Sequence, residues 1–132
     1  MNQLVPLAIA LSVLIACAPG KDTADTGSEA ITADQLAAAQ SDILAQIGDA
    51  SCASEEDCRT VAFGAKPCGG PWEYLAYCVS GLDEPALLDA IDDYNQLEQA
   101  YNLQEDLAST CAAIGDPGPA YVDGVCELAL PT

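Results

Sequence analysis

An α+β fold, two helices packed on a small antiparallel sheet and stapled by disulfides, is predicted by three observations. Two stretches carry apolar residues at helical spacing, one starting at Ala33 and a longer one following Asp83. Short aromatic and β-branched runs alternate with Gly, Pro and Asp-Gly turn signals between and after them. Six of the seven cysteines, Cys52, Cys58, Cys68, Cys78, Cys111 and Cys126, follow the first helical stretch. An even number in an exported domain reads as three disulfides, and six cysteines permit 15 pairings that spacing alone does not resolve.

The elements follow in order. Thr32 is placed to cap the first helix, Gln35 to complete a capping box, and Ile31 to pack on Leu36 as a hydrophobic staple. Leu36, Ile43, Leu44 and Ile47 then share a helix face and Gly48 stops it, so a helix is expected over 33–47. Cys52 to Cys58 encloses an acidic turn, Glu55-Glu56-Asp57, ahead of a strand over Arg59–Phe63. Gly64 to Pro71 holds three glycines and two prolines and must be a loop. Tyr74–Val79 reads as the second strand. Asp83 caps a long helix that tolerates Pro85 in its first turn. Leu87, Ile91, Tyr94, Leu97 and Tyr101 form its buried stripe, while Asp89, Asp92, Asp93 and Glu98 are expected to face water. The helix should end near Ser109, with Cys111 stapling its end. Tyr121 to Cys126 carries the Asp123-Gly124 pair of a two-residue hairpin.

Ahead of the domain, residues 1–16 carry no charge and lead into Leu14-Ile15-Ala16-Cys17. This segment resembles the signal peptide and lipobox of bacterial lipoproteins, although Met1-Asn2-Gln3 lacks the usual Lys or Arg. The apolar stretch is too short for the roughly 20 residues of a spanning helix. The resemblance implies lipidation of Cys17, cleavage before it, and a membrane anchor of acyl chains. Ala18, rather than Asp, after Cys17 implies the outer membrane of a Gram-negative cell envelope. The chain then divides into a signal peptide (1–16), a lipidated Cys17 with an acidic tether (17–31) and a disulfide-rich domain (32–132). A tether of Gly, Ser, Thr and Asp would let the domain float about 20 Å from the bilayer.

Composition excludes several functions. With 21 acidic and 3 basic side chains the net charge is −18, and only Arg59 and Lys66 are cations within the domain. Such a field repels nucleic acid and anionic lipid headgroups; solubility or a salty habitat accounts for it, and cationic partners or divalent ions would be favoured. The chain has no histidine, which removes Ser-His and Cys-His nucleophile systems. No Cys-x-x-Cys spacing is present, which argues against a structural zinc site or a redox dithiol. The acidic clusters lack the spacing and the turn glycine of a calcium loop. Paired carboxylates are too numerous for any pair to point to a glycosidase. No enzyme activity, cofactor or metal is expected, and the domain is expected to be a monomer.

The most distinctive stretch is Gly64-Ala65-Lys66-Pro67-Cys68-Gly69-Gly70-Pro71-Trp72-Glu73-Tyr74-Leu75. It resembles an uncharacterised family of small secreted or lipid-anchored bacterial domains with a Gly-x-Lys-Pro-Cys-Gly-Gly-Pro-x-x-Tyr-Leu motif. In those relatives an acidic Cys-containing turn precedes the motif and a helix with a Tyr-Asn pair follows it. Cys52 to Cys58, and Tyr94-Asn95 or Tyr101-Asn102, would match here. Relatives often have Ser at the position of Cys78 and a further Cys near Tyr121, so the pairing here is expected to differ. The resemblance spans residues 52–126 and implies a fold but no activity.

Three readings of the motif follow from its residues. Gly69 and Gly70 permit positive φ or close approach, and Pro67 and Pro71 stiffen the flanks. A rigid exposed loop presenting Lys66 would suit the acidic pocket of a protease, as in a protease-inhibitor-like domain. Alternatively, Trp72, Tyr74 and Tyr77 form a stacking surface for a sugar ring, with Glu73 accepting from hydroxyls. In the third reading the loop only turns the chain beneath Trp72 and buries the Cys68 bridge, with the Lys66 amine paired to a carboxylate. The sequence thus points to an envelope lipoprotein with a noncatalytic binding or structural module, whose partner is an envelope protein or glycan.

Overall fold

A computed structural model describes residues 29–130. The predicted leader, Cys17 and the tether up to residue 28 lie outside the described residues. The fold runs α1 (Ala33–Ile47), a 3₁₀ turn (Glu55–Asp57), β1 (Cys58–Phe63), β2 (Glu73–Cys78), α2 (Glu84–Gln104), β3 (Pro119–Val122) and β4 (Val125–Leu128). It is the α+β class that the periodicities predict. The sheet is divided: β1 pairs antiparallel with β2, and β3 pairs antiparallel with β4. The segment before the 3₁₀ turn runs along β4, with the Cys52 N–H donating to Gly124 and the Cys126 N–H to Ala50.

Helix α1 starts where its capping box requires. Thr32 Oγ1 accepts from the Gln35 N–H at 3.2 Å, and Gln35 Oε1 accepts from the Thr32 N–H at 2.7 Å. Ile43 is buried, with Leu36, Ala39 and Ile47 packed beside it. Leu44 is 44% exposed and falls off the predicted face, because one residue past Ile43 is about 100° further round the helix. Ala39 takes its place in the stripe.

Helix α2 buries Leu87, Ile91 and Tyr94 as predicted, but it also buries Asn102 and ends five residues short of Ser109, at Gln104. The terminator is Asp106, which adopts φ 51° where glycine usually stands. The Leu107 N–H reaches back to Asn102 O at 2.9 Å and the Asp106 N–H to Leu103 O at 3.4 Å, the two bonds of a Schellman motif. An aspartate tolerates the left-handed region better than most residues, so the stop carries no glycine signature. Gln104 then clasps the entry to α1, since its amide donates to Ile31 O and accepts from the Ile31 N–H, both at 2.8 Å.

The core lies where α1 and α2 cover the first hairpin. Ile43, Phe63, Tyr77, Leu87, Ile91 and Tyr94 form it, and Phe63 stacks on Tyr94 with ring centroids 4.5 Å apart. Burial, then the hydrogen bond from its hydroxyl to Glu84, pushes the Tyr77 phenol up to about 12. A second cluster, Ala50, Cys58, Cys78 and Cys126, packs where the two hairpins meet. Its cohesion is covalent. The pairings are Cys52–Cys78, Cys58–Cys126 and Cys68–Cys111. Cys58 and Cys78 face each other across the first ladder, yet each bonds outward, so two bridges tie the first hairpin to β4 and to the segment beside it. The sulfurs of Cys52, Cys78 and Cys126 lie within 4.8 Å of one another, but all three are consumed in disulfides and are not thiolates. Among the described residues no helix is long and apolar enough to cross a membrane.

Candidate recognition surface

The motif loop is held from beneath by α2. Asn95, Glu98 and Asn102 are spaced three and four residues apart and so line one face of the helix beside the apolar stripe. Asn95 Oδ1 accepts from the Gly64 N–H at 2.7 Å, and Glu98 Oε2 accepts from the Ala65 N–H at 2.6 Å. Asn102 Nδ2 donates to Ala65 O at 2.6 Å. The backbone of Gly64-Ala65 has therefore exchanged water for three side chains from one helix. Glu98, expected to face water, is instead a half-buried acceptor in this cradle. Both asparagines of the Tyr-Asn pairs serve it, while Tyr94 faces the core.

The loop also closes on itself. The Lys66 N–H donates to Gly70 O at 2.9 Å and the Gly69 N–H to Lys66 O at 2.8 Å, while the Trp72 N–H returns to Phe63 O at 3.0 Å. Gly64, at φ 82°, is required twice over: a Cβ there would lie 2.7 Å from Trp72 Cδ1 and 3.0 Å from Glu98 Oε2. Gly69 and Gly70 have φ 98° and 82° but open space around a built Cβ. Their glycines answer to backbone conformation, and the close approach belongs to Gly64.

Lys66 is not presented to solvent. It is 7% exposed, its Nζ donates to Ala112 O at 2.8 Å, and it lies 5.6 Å from the centroid of the Trp72 ring. This corrects the expectation of a basic side chain offered to a partner's pocket. It also replaces the expected carboxylate partner with a backbone carbonyl. A buried ammonium needs its donors used, and the carbonyl together with the aromatic face provides for it without a second desolvated charge. Arg59 follows the same habit, with Nη1 donating to Glu56 O and Cys58 O.

The aromatics do not form one platform. Tyr77 lies in the core and Tyr74 is half-buried, on the opposite face of β2 by strand alternation. Trp72 is 46% exposed and remains the aromatic available at this surface. Gly69, Gly70 and Pro71 form a rim between two clefts. One, of about 340 Å³, is walled by Asn95, Gln96 and Gln99 of α2. The other, of about 320 Å³, is walled by Cys111 to Ile114.

That second wall is a strap that no sequence periodicity marks. Residues 107–118 contain no helix, strand, turn or bend, and all but Ser109 and Gly118 are exposed. Among the described residues, the N–H groups from Ala108 to Asp116 have no protein partner. The strap is pinned at Cys111 by its disulfide to Cys68, at Ala112 O by Lys66, and at Asp116 by the Thr60 hydroxyl at 2.9 Å. The available signal was its composition: Leu107 to Gly115 carries no charge in a chain of net charge −18.

Comparison with protein-family models, with curated proteins and with solved structures finds no match.

Proposed function

We propose that the protein is a lipid-anchored protein of the cell envelope whose disulfide-braced domain is a noncatalytic binding or structural module. One observation carries the anchor. The six cysteines of the domain pair with one another, so Cys17, in its lipobox-like setting, is the cysteine outside the three bridges. An unpaired thiol in an exported protein otherwise invites cross-linking, whereas acylation consumes it. The module reading draws on the pinned surface. A loop cradled by α2, a half-exposed Trp72 and a strap pinned at Cys111, Ala112 and Asp116 form the surface, so a partner would order little on docking. The buried Lys66 gives the inhibitor reading built on that side chain no support.

Cys17→Ser tests the anchor. The wild-type chain is expected in the membrane fraction and the variant in the soluble fraction of the exported pool. Equal retention of both in the membrane would remove the anchor.

A further inference from the structure

We propose that the groove between α1 and α2 is a docking site for a cationic amphipathic helix of a partner protein. This surface is additional to the motif loop and the strap, and shares no lining residue with the two clefts beside them.

Each helix lines the groove with residues at i, i+3, i+4 and i+7. They are Ala39, Asp42, Ile43 and Gln46 from α1, and Ala90, Asp93, Tyr94 and Leu97 from α2. The two stripes enclose about 400 Å³. Ile43 and Tyr94 are buried and form the floor, and the small side chains of Ala39 and Ala90 leave the space above it. Asp42 and Asp93 are exposed, one from each helix. A depression between two packed helices receives the side-chain ridge of a third, as helix-in-groove interfaces do.

Charge specifies the occupant. Neither α1 nor α2 contains a Lys or Arg. The two cations of the domain are committed elsewhere, Arg59 Nη1 to the carbonyls of Glu56 and Cys58 and Lys66 Nζ to that of Ala112. Asp42 and Asp93 are therefore left to pair with a cation from outside the domain. A helix that lays an apolar stripe over Ile43, Tyr94 and Leu97 carries its flanking residues towards these two carboxylates, where Lys or Arg would be favoured. An anionic helix, or a second copy of a chain of net charge −18, would set carboxylate against carboxylate.

The test uses the exported Cys17→Ser chain, which has no thiol to acylate at that position and needs no detergent. The probe is a fluorescent peptide of leucine and lysine whose leucines fall on one helix face. Its control has the same composition with the leucines spread around the helix. Anisotropy titrations are expected to show the ordered peptide binding at least roughly tenfold more tightly than the control. Asp42→Asn with Asp93→Asn should weaken it roughly three- to tenfold, as two exposed ion pairs are lost. Glu55→Gln with Glu127→Gln, an equal change of charge outside the groove, should leave binding unchanged. All four acids are exposed, and unchanged circular dichroism confirms the fold of both double variants. Equal affinity for the two peptides, or equal losses in the two double variants, would show attraction to net charge alone and overturn the proposal. So would absence of binding. Capture of an envelope partner that depends on Trp72 would survive any of these results, so the groove can fall while the binding module stands.

Discussion

Replacing Cys58 and Cys126 together by alanine should cost the domain roughly 3–4 kcal/mol, since the bridge spans 68 residues but the intact Cys68–Cys111 bridge shortens the loop that it closes. The bridge joins the start of β1 to β4 and sits in the smaller of the two clusters, where both half-cystines are 3% exposed. A domain of this size has little else to hold the second hairpin, since the larger core lies on the first. The melting temperature of the double variant should fall by something on the order of 20 °C. The Cys52–Cys78 bridge, spanning 26 residues, should cost a similar amount to remove. Thermal denaturation followed by circular dichroism checks both. A double variant that melts within a few degrees of wild type would mean that the apolar packing alone secures β3 and β4.

Gly64→Ala should be the most damaging single change in the motif loop. The left-handed backbone costs about 1–2 kcal/mol for any residue with a Cβ. The added methyl also meets Trp72 and Glu98, and displacing Glu98 leaves the Ala65 N–H without its acceptor. The total should be on the order of 2–4 kcal/mol, with a shift in Trp72 fluorescence as the ring moves. Gly69→Ala is the matched control, because its φ is also positive but a Cβ there meets nothing within 4 Å. It should show the backbone cost alone and leave the fluorescence unchanged. Equal losses for the two variants would mean that conformation, rather than the contact with Trp72, fixes Gly64.

How much of this was legible depends on whether the deciding interaction is local. Helix α1 was readable to the residue because Thr32 and Gln35 carry both halves of its capping box. The final hairpin was readable because Asp123 and Gly124, at φ 49° and 86°, supply the positive dihedrals of a type I′ turn. The end of α2 was not, since Asp106 performs a glycine's role and its partners lie within a turn that looked like continuing helix. Lys66 was misread for a different reason. Its acceptor, Ala112 O, is 46 residues away and is brought near by a disulfide whose pairing spacing did not determine. The cradle of Asn95, Glu98 and Asn102 had a signal, a polar row three and four residues apart flanking the Tyr94 and Tyr101 positions of the stripe. Charge made Glu98 look solvated. Whether a carboxylate faces water or a backbone N–H depends on what the fold places opposite it, and no helix periodicity carries that information.

The division of labour between the cores follows from composition. Only six buried side chains make up the larger cluster, and the smaller is chiefly half-cystine. The covalent bridges therefore free the surface from having to bury its apolar residues, and Trp72, Leu107 and Ile114 remain substantially exposed.

The central claim, that this braced surface serves recognition in the envelope, is tested most directly by cross-linking capture in native envelopes. The lipid-anchored wild-type chain is compared with Trp72→Ala and Ala113→Arg. The expected result is a discrete protein or glycan recovered with wild type and lost in at least one variant, which locates the face that binds it. Diffuse recovery, equal for all three chains, would contradict the claim and leave the motif a device for folding the loop.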